Sequence, residues 1–128
     1  MNELFKKINE VKHVQIVVEE EYLYSASALY TYVLRLHKKV SLTCASKELD
    51  VKYGCLPWFE KIKTLQTPSA ELTINLNHTA LELCDAFSER NVELNPKMAT
   101  ALYAGLLNET KGFSNAKVNV WFLLLLVS

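Results

Sequence analysis

A chain of 128 residues, half of them apolar, is long enough to bury one proper hydrophobic core, and one domain is the natural reading. Its 14 basic and 14 acidic residues balance, so no general field favours nucleic acid or an anionic membrane. Cys44, Cys55 and Cys84 show neither CxxC spacing nor an even count, which argues against a disulfide framework and for reduced thiols in the cytoplasm.

Met1-Asn2-Glu3-Leu4 opens a charged amphipathic segment rather than the apolar run of a secretory signal. Residues 11–18 are rich in β-branched side chains and bounded by charges, which predicts a buried first strand. A helix is expected over 23–37, where Leu23, Ala26, Tyr30, Val33 and Leu34 form one stripe. Residues 40–44 read as a second strand. Leu56-Pro57-Trp58-Phe59-Glu60-Lys61-Ile62 suggests a short helix with Pro57 in its first turn. Pro68-Ser69 is a break, and residues 71–76 then alternate like a third strand. Thr79-Ala80-Leu81-Glu82 matches a capping box that opens a helix to about residue 89.

The last predicted helix has Asn95 as N-cap and Pro96 at its first position. Met98, Ala101, Leu102, Gly105 and Leu106 repeat along it at helical spacing. Gly105 costs such a helix about 1 kcal/mol against Ala, and close helix–strand packing is the expected reason. Strands alternating with helices imply an α/β fold of βαβ units, a mostly parallel sheet with helices on both faces. The apolar run Val120-Trp121-Phe122-Leu123-Leu124-Leu125-Leu126-Val127 is far short of the ~20 residues of a membrane span. It is instead a candidate surface for a second copy or another protein.

Three stretches carry a family likeness: Ser25-Ala26-Ser27-Ala28-Leu29, the Leu56-Pro57 connector, and the helix from Asn95 ending in Glu109-Thr110-Lys111-Gly112. Together they resemble DHH-family phosphoesterases, the RecJ-like and oligoribonuclease-like enzymes, over nearly all of residues 11–115. On that resemblance the family's first metal signature falls on Gln15 (for His) and on Glu19 and Glu21 (for two Asp), with Tyr24 at its glycine. The ligand aspartate ending the third strand falls on Asn75 or Asn77. Glu109-Thr110-Lys111-Gly112 stands where the family has Asp-Thr-Gly. The Asp-His-His segment has no counterpart, because Asn77-His78 runs straight into the Thr79 capping box. The glycine-rich C-terminal substrate domain has none either, with Gly54, Gly105 and Gly112 the chain's glycines.

The resemblance implies a three-layer α/β domain and, in intact members, two divalent cations ~3.5–4 Å apart that activate water. The departures bear on that chemistry directly. Glu for Asp keeps the charge but displaces the oxygens by a methylene, Asn for Asp removes the charge, and Gln15 lacks the imidazole nitrogen. The expectation is a catalytically inactive DHH-like domain, a binding or structural module with no catalytic residues and no cofactor. Glu19, Glu21, Glu109 and His78 remain as candidate metal ligands. The alternative is a divergent Mn²⁺- or Mg²⁺-dependent phosphoesterase acting on nucleotides or short oligonucleotides through those four residues.

Each residue also has a plainer role. Glu19-Glu20-Glu21 suits a solvated strand end beside a helix N-terminus. Glu109 suits a helix surface, His78 a turn, and His13 and His37 regular structure. Trp58 and Phe59, with no interleaved basic residues, suit a core or interface rather than base stacking. No GxSxG elbow, phosphate loop or GxGxxG is present.

Overall fold

The computed structural model describes residues 2–46 and 48–110. Its centre is β1 (His13–Val18), buried almost throughout, beside β2 (Lys39–Thr43), the two-residue β3 (Ile62–Lys63) and β4 (Leu72–Leu76). The strands lie in the order β3-β2-β1-β4 and every pairing is parallel. The register sets Val17 opposite Thr43 on one side and Asn75 on the other.

Helices flank the sheet: α1 (Asn2–Glu10), α2 (Leu23–Arg35), α3 (Ala80–Glu89) and α4 (Pro96–Thr110). α2 is buried on every side from Leu23 to Val33, the pattern of an interior helix. Thr79 and Glu82 form both arms of the expected capping box on α3. Asn95 caps α4 as expected, its Oδ1 accepting from the Met98 N–H at 2.9 Å. The α4 stripe Met98, Ala101, Leu102 and Leu106 is fully buried. A Cβ on Gly105 would lie 2.6 Å from Ala80 Cβ and 2.8 Å from Tyr24 Cβ. The glycine therefore serves helix–helix contact with α2 and the start of α3, not the helix–strand contact expected.

α1 goes beyond the amphipathic segment seen in the sequence. Phe5 and Ile8 anchor it, and the Phe5 ring meets Tyr32 edge-on at 5.5 Å and Phe87 at 5.8 Å. Alternation then divides the sheet. Val14, Ile16, Val18, Leu42, Ile74 and Leu76 enter the apolar core. Gln15, Ser41, Thr43, Thr73 and Asn75 share the other, polar face. Gln15 is 2% exposed and acts as a strut: its Nε2 donates to Thr73 Oγ1 at 3.1 Å and its Oε1 accepts from the Thr67 N–H.

Several boundaries differ from expectation. α2 stops at Arg35 rather than residue 37, because His37 takes a left-handed φ of 61°, a common helix exit. The expected 56–62 helix is a 3₁₀ turn, Phe59–Lys61, with Pro57 outside it. Trp58 enters that turn at a φ of 67°, a costly conformation for a bulky residue. Its ring is pinned: Nε1 donates to Thr31 Oγ1 at 3.0 Å, and Lys97 Nζ lies 3.8 Å from the ring centre. A further 3₁₀ turn, Val51–Cys55, had no signal in the sequence. Lys111, Gly112 and the apolar run 120–127 lie outside the described residues. No helix among those described is long and apolar enough to cross a membrane.

Candidate functional site

Open parallel sheets bind ligands beyond the carboxyl ends of their strands, where the strand order reverses. Here β2 and β3 build outward from one side of β1, and the chain then returns to place β4 on the other. The reversal lies between β1 and β4. A cleft of about 490 Å³ opens at that edge. The in-register row Asn75, Val17 and Thr43 lines it, together with Asn77, Glu19 and Ala45, which follow two residues on in each chain segment. Glu21 and Tyr22 come from the 3₁₀ turn after β1. Thr64 and Gln66, from the segment after β3, line the cleft as well. Glu19 and Glu21 also line an adjoining hollow of about 530 Å³ that reaches Asp50, Lys52 and Tyr53.

The edge is acidic. No lysine or arginine lines the first hollow among the described residues, and Glu19 and Glu21 are exposed without an ion-pair partner among them. Glu20 Oε1 accepts from the Asp50 N–H at 3.2 Å. Lys52, the one cation lining the second hollow among the described residues, has its Nζ 3.5 Å from Asn108 Oδ1 and 5.2 Å from the Tyr53 ring centre. Burial first, then the charges around it, push the Tyr53 phenol up to about 12. Tyr24, packed against Tyr53 at 5.1 Å, is raised chiefly by burial too. Both phenols stay protonated at neutral pH.

No family model matches the sequence, and no curated protein matches it. The fold does have a solved counterpart. It is similar to an exopolyphosphatase-related protein from Bacteroides fragilis, with a TM-score of 0.78 at 12% identity. The likeness covers 98% of this chain and 55% of that one, so the chain spans about half that protein's length. At such identity it is the fold that is shared.

The candidate ligands separate in space. The cleft brings Glu19 and Glu21 together with Asn75 and Asn77. His78 does not line that cleft: it lines a separate hollow with Asn75, Asn77 and, from α1, Leu4 and Lys7. Glu109, in the last turn of α4, has its carboxylate spent on α3, where Oε1 accepts from the Ala80 N–H at 2.5 Å and Oε2 from the Leu81 N–H at 3.4 Å. Desolvation raises the Glu109 pKa, outweighing the two N–H donors that lower it. Gln15, which the sequence resemblance sets against a histidine, is the strut described above.

Among the described residues, no three His, Cys, Asp or Glu side chains converge as a metal site would require. Two flexible carboxylates and two neutral amides do not fit a dinuclear cation centre. Thr43, Tyr22, Gln66 and Tyr53 join the site without having been singled out in the sequence. For Thr43 a signal existed, since it is the penultimate residue of the second predicted strand and closes β2. Which strand lies beside β1, and in what register, had to be known before it could be read.

Proposed function

We propose that this chain is a DHH-phosphoesterase-like domain that has lost catalysis and works as a binding module, with the carboxyl-edge cleft as its ligand-facing surface. The fold of the exopolyphosphatase-related protein supports the family reading. The position of Glu109 supports the loss of catalysis most strongly. The residue standing for the family's closing acid is bound to the backbone of Ala80 and Leu81, and only Glu19 and Glu21 of the candidate ligands share the cleft. A cation held by so few anionic donors would not polarise a phosphodiester and generate hydroxide together. The apolar run 120–127 remains a candidate surface for self-association or a protein partner.

The test is hydrolysis of a chromogenic phosphodiester, short oligonucleotides and inorganic polyphosphate with saturating Mn²⁺ or Mg²⁺. The expected rate equals that of metal in buffer, for the wild type and for Glu19→Gln/Glu21→Gln alike. Metal-dependent turnover that the double substitution abolishes would overturn this reading in favour of a divergent phosphoesterase.

A further inference from the structure

The sheet has two outer edges, and only one is guarded. β3 is two residues long, carries Lys63 and follows Lys61, and short, lysine-bearing edge strands discourage further pairing. β4, Leu72–Leu76, has five residues with no charge and no proline. Among the described residues no strand pairs with its outer side. A groove of about 250 Å³ runs along it, lined by every residue from Leu72 to His78 and by Leu4 and Lys7 of α1.

The ladder fixes which backbone groups face this groove. The Lys12 carbonyl accepts from the Lys39 N–H, and the His13 carbonyl from the Glu71 N–H. Alternation along β1 therefore turns Gln15 and Val17 toward β4, where their register partners are Thr73 and Asn75. In a parallel ladder such residues bond to the neighbours of their partners, here Leu72, Ile74 and Leu76. The N–H and C=O groups of Thr73 and Asn75 are left pointing outward, without a backbone partner among the described residues.

The sequence beyond α4 holds a segment that matches this edge. Glu109 is bonded to the Ala80 and Leu81 N–H groups, and Ala80 stands four residues past the end of β4. Four residues span at most ~13 Å, whereas the seven residues 111–117 reach ~23 Å when extended. From Val118 the chain can thus run back along β4, antiparallel, as edge strands of parallel sheets often do. Val118, Val120 and Phe122 then fall beside Leu76, Ile74 and Leu72 of the apolar face, and Asn119 falls beside Asn75 of the polar face. Residues 118–127 carry no charge, and Val, Trp and Phe favour strands. Tethering gives such a segment an effective concentration on the order of millimolar, which favours it over a second copy in dilute solution.

We propose that residues 118–122 add to the outer edge of β4 as an antiparallel fifth strand of the same chain. The proposal stands apart from the chemistry of the carboxyl-edge cleft and gives the apolar run a place on its own sheet. Its test is amide hydrogen exchange of the ¹⁵N-labelled full chain, read beside nuclear Overhauser contacts between α-protons. The Thr73 and Asn75 amides are expected to exchange slowly, equally so on dilution, and about tenfold or more faster in Asn119→Pro/Trp121→Pro, which removes the pairing donors. Close α-proton contacts are expected between Ile74 and Val120 and between Leu76 and Val118, the pairs without mutual hydrogen bonds. Slow exchange of the Ile16 amide reports that the variant is folded. Should the variant not fold, the α-proton contacts of the wild type decide the matter alone. Fast exchange at Thr73 and Asn75 in the wild type would overturn the proposal by leaving the edge free. Protection lost on dilution would overturn it in favour of a second copy. Protection that survives in the folded variant, or that comes without the α-proton contacts, would overturn it by placing another segment on the edge.

Discussion

Glu109 joins the last turn of α4 to the start of α3. Its oxygens meet the first N–H groups of α3, donors that no helix satisfies internally. Desolvation nevertheless holds its pKa above the ordinary glutamate value. The folded protein therefore keeps this proton at pH values where the unfolded chain has released it. The contribution of Glu109 to stability consequently falls as pH rises through the window just above the ordinary glutamate pKa. Glu109→Gln, which retains one acceptor, is expected to flatten that part of the pH profile in urea melts. Glu109→Ala is expected to cost about 1 kcal/mol by removing the cap. An unchanged pH profile in the Gln variant would show that the carboxylate is not desolvated there.

The thiols illustrate the same control by environment. Cys44 and Cys84 are buried, and burial pushes the Cys84 thiol up to about 12, with Asp85 and Glu109 adding to the effect. Cys55 is exposed, with its Sγ 3.4 Å from the Lys52 carbonyl oxygen. A thiol reagent should therefore label Cys55 fast in the native protein and all three cysteines only after denaturation. Rapid native labelling of Cys84 would contradict the packing of α3.

Among the elements, α4 carries the closest fit. Gly105 sits where an added Cβ would press against the Cβ atoms of Ala80 and Tyr24. Those atoms are fixed to backbone and cannot swing aside. Gly105→Ala would normally stabilise a helix by about 1 kcal/mol. Overpacking, typically costing about 1–3 kcal/mol, opposes that gain, so a net loss of stability is expected in thermal melts. A raised melting temperature would mean that α4 can slide away from α2. Thr31 and Trp58 make a second link between elements. The indole N–H on Thr31 Oγ1 ties the left-handed residue before the Phe59–Lys61 turn to the buried helix α2. The sequence gives no hint of that backbone conformation, because it is imposed by a tertiary contact.

At the scale of the molecule, the parallel sheet and its flanking helices were legible because their signals are local. β-branched runs, the Thr79–Glu82 capping box and the Asn95–Pro96 helix start each act within a few residues. β3 escaped notice because two residues carry no periodicity. The site was half legible. Glu19, Glu21, Asn75 and Asn77 follow strand ends, and parallel strands bring their carboxyl ends to one edge. Glu109 and His78 could not be placed from spacing, since their positions depend on how α4 meets α3 and how α1 meets β4. Thr43 and Gln66 could be assigned to the cleft only once the strand order and the path after β3 were known.

The proposed loss of catalysis requires that the separated acidic motifs do not assemble into a catalytic cation centre. A Mn²⁺ titration of the ¹⁵N-labelled protein, following paramagnetic broadening of each backbone amide, tests it most directly. Diffuse broadening of acidic surface segments is expected, appearing only at millimolar metal. Selective broadening around Glu19, Glu21, Asn77 and Glu109 at micromolar Mn²⁺ would contradict it.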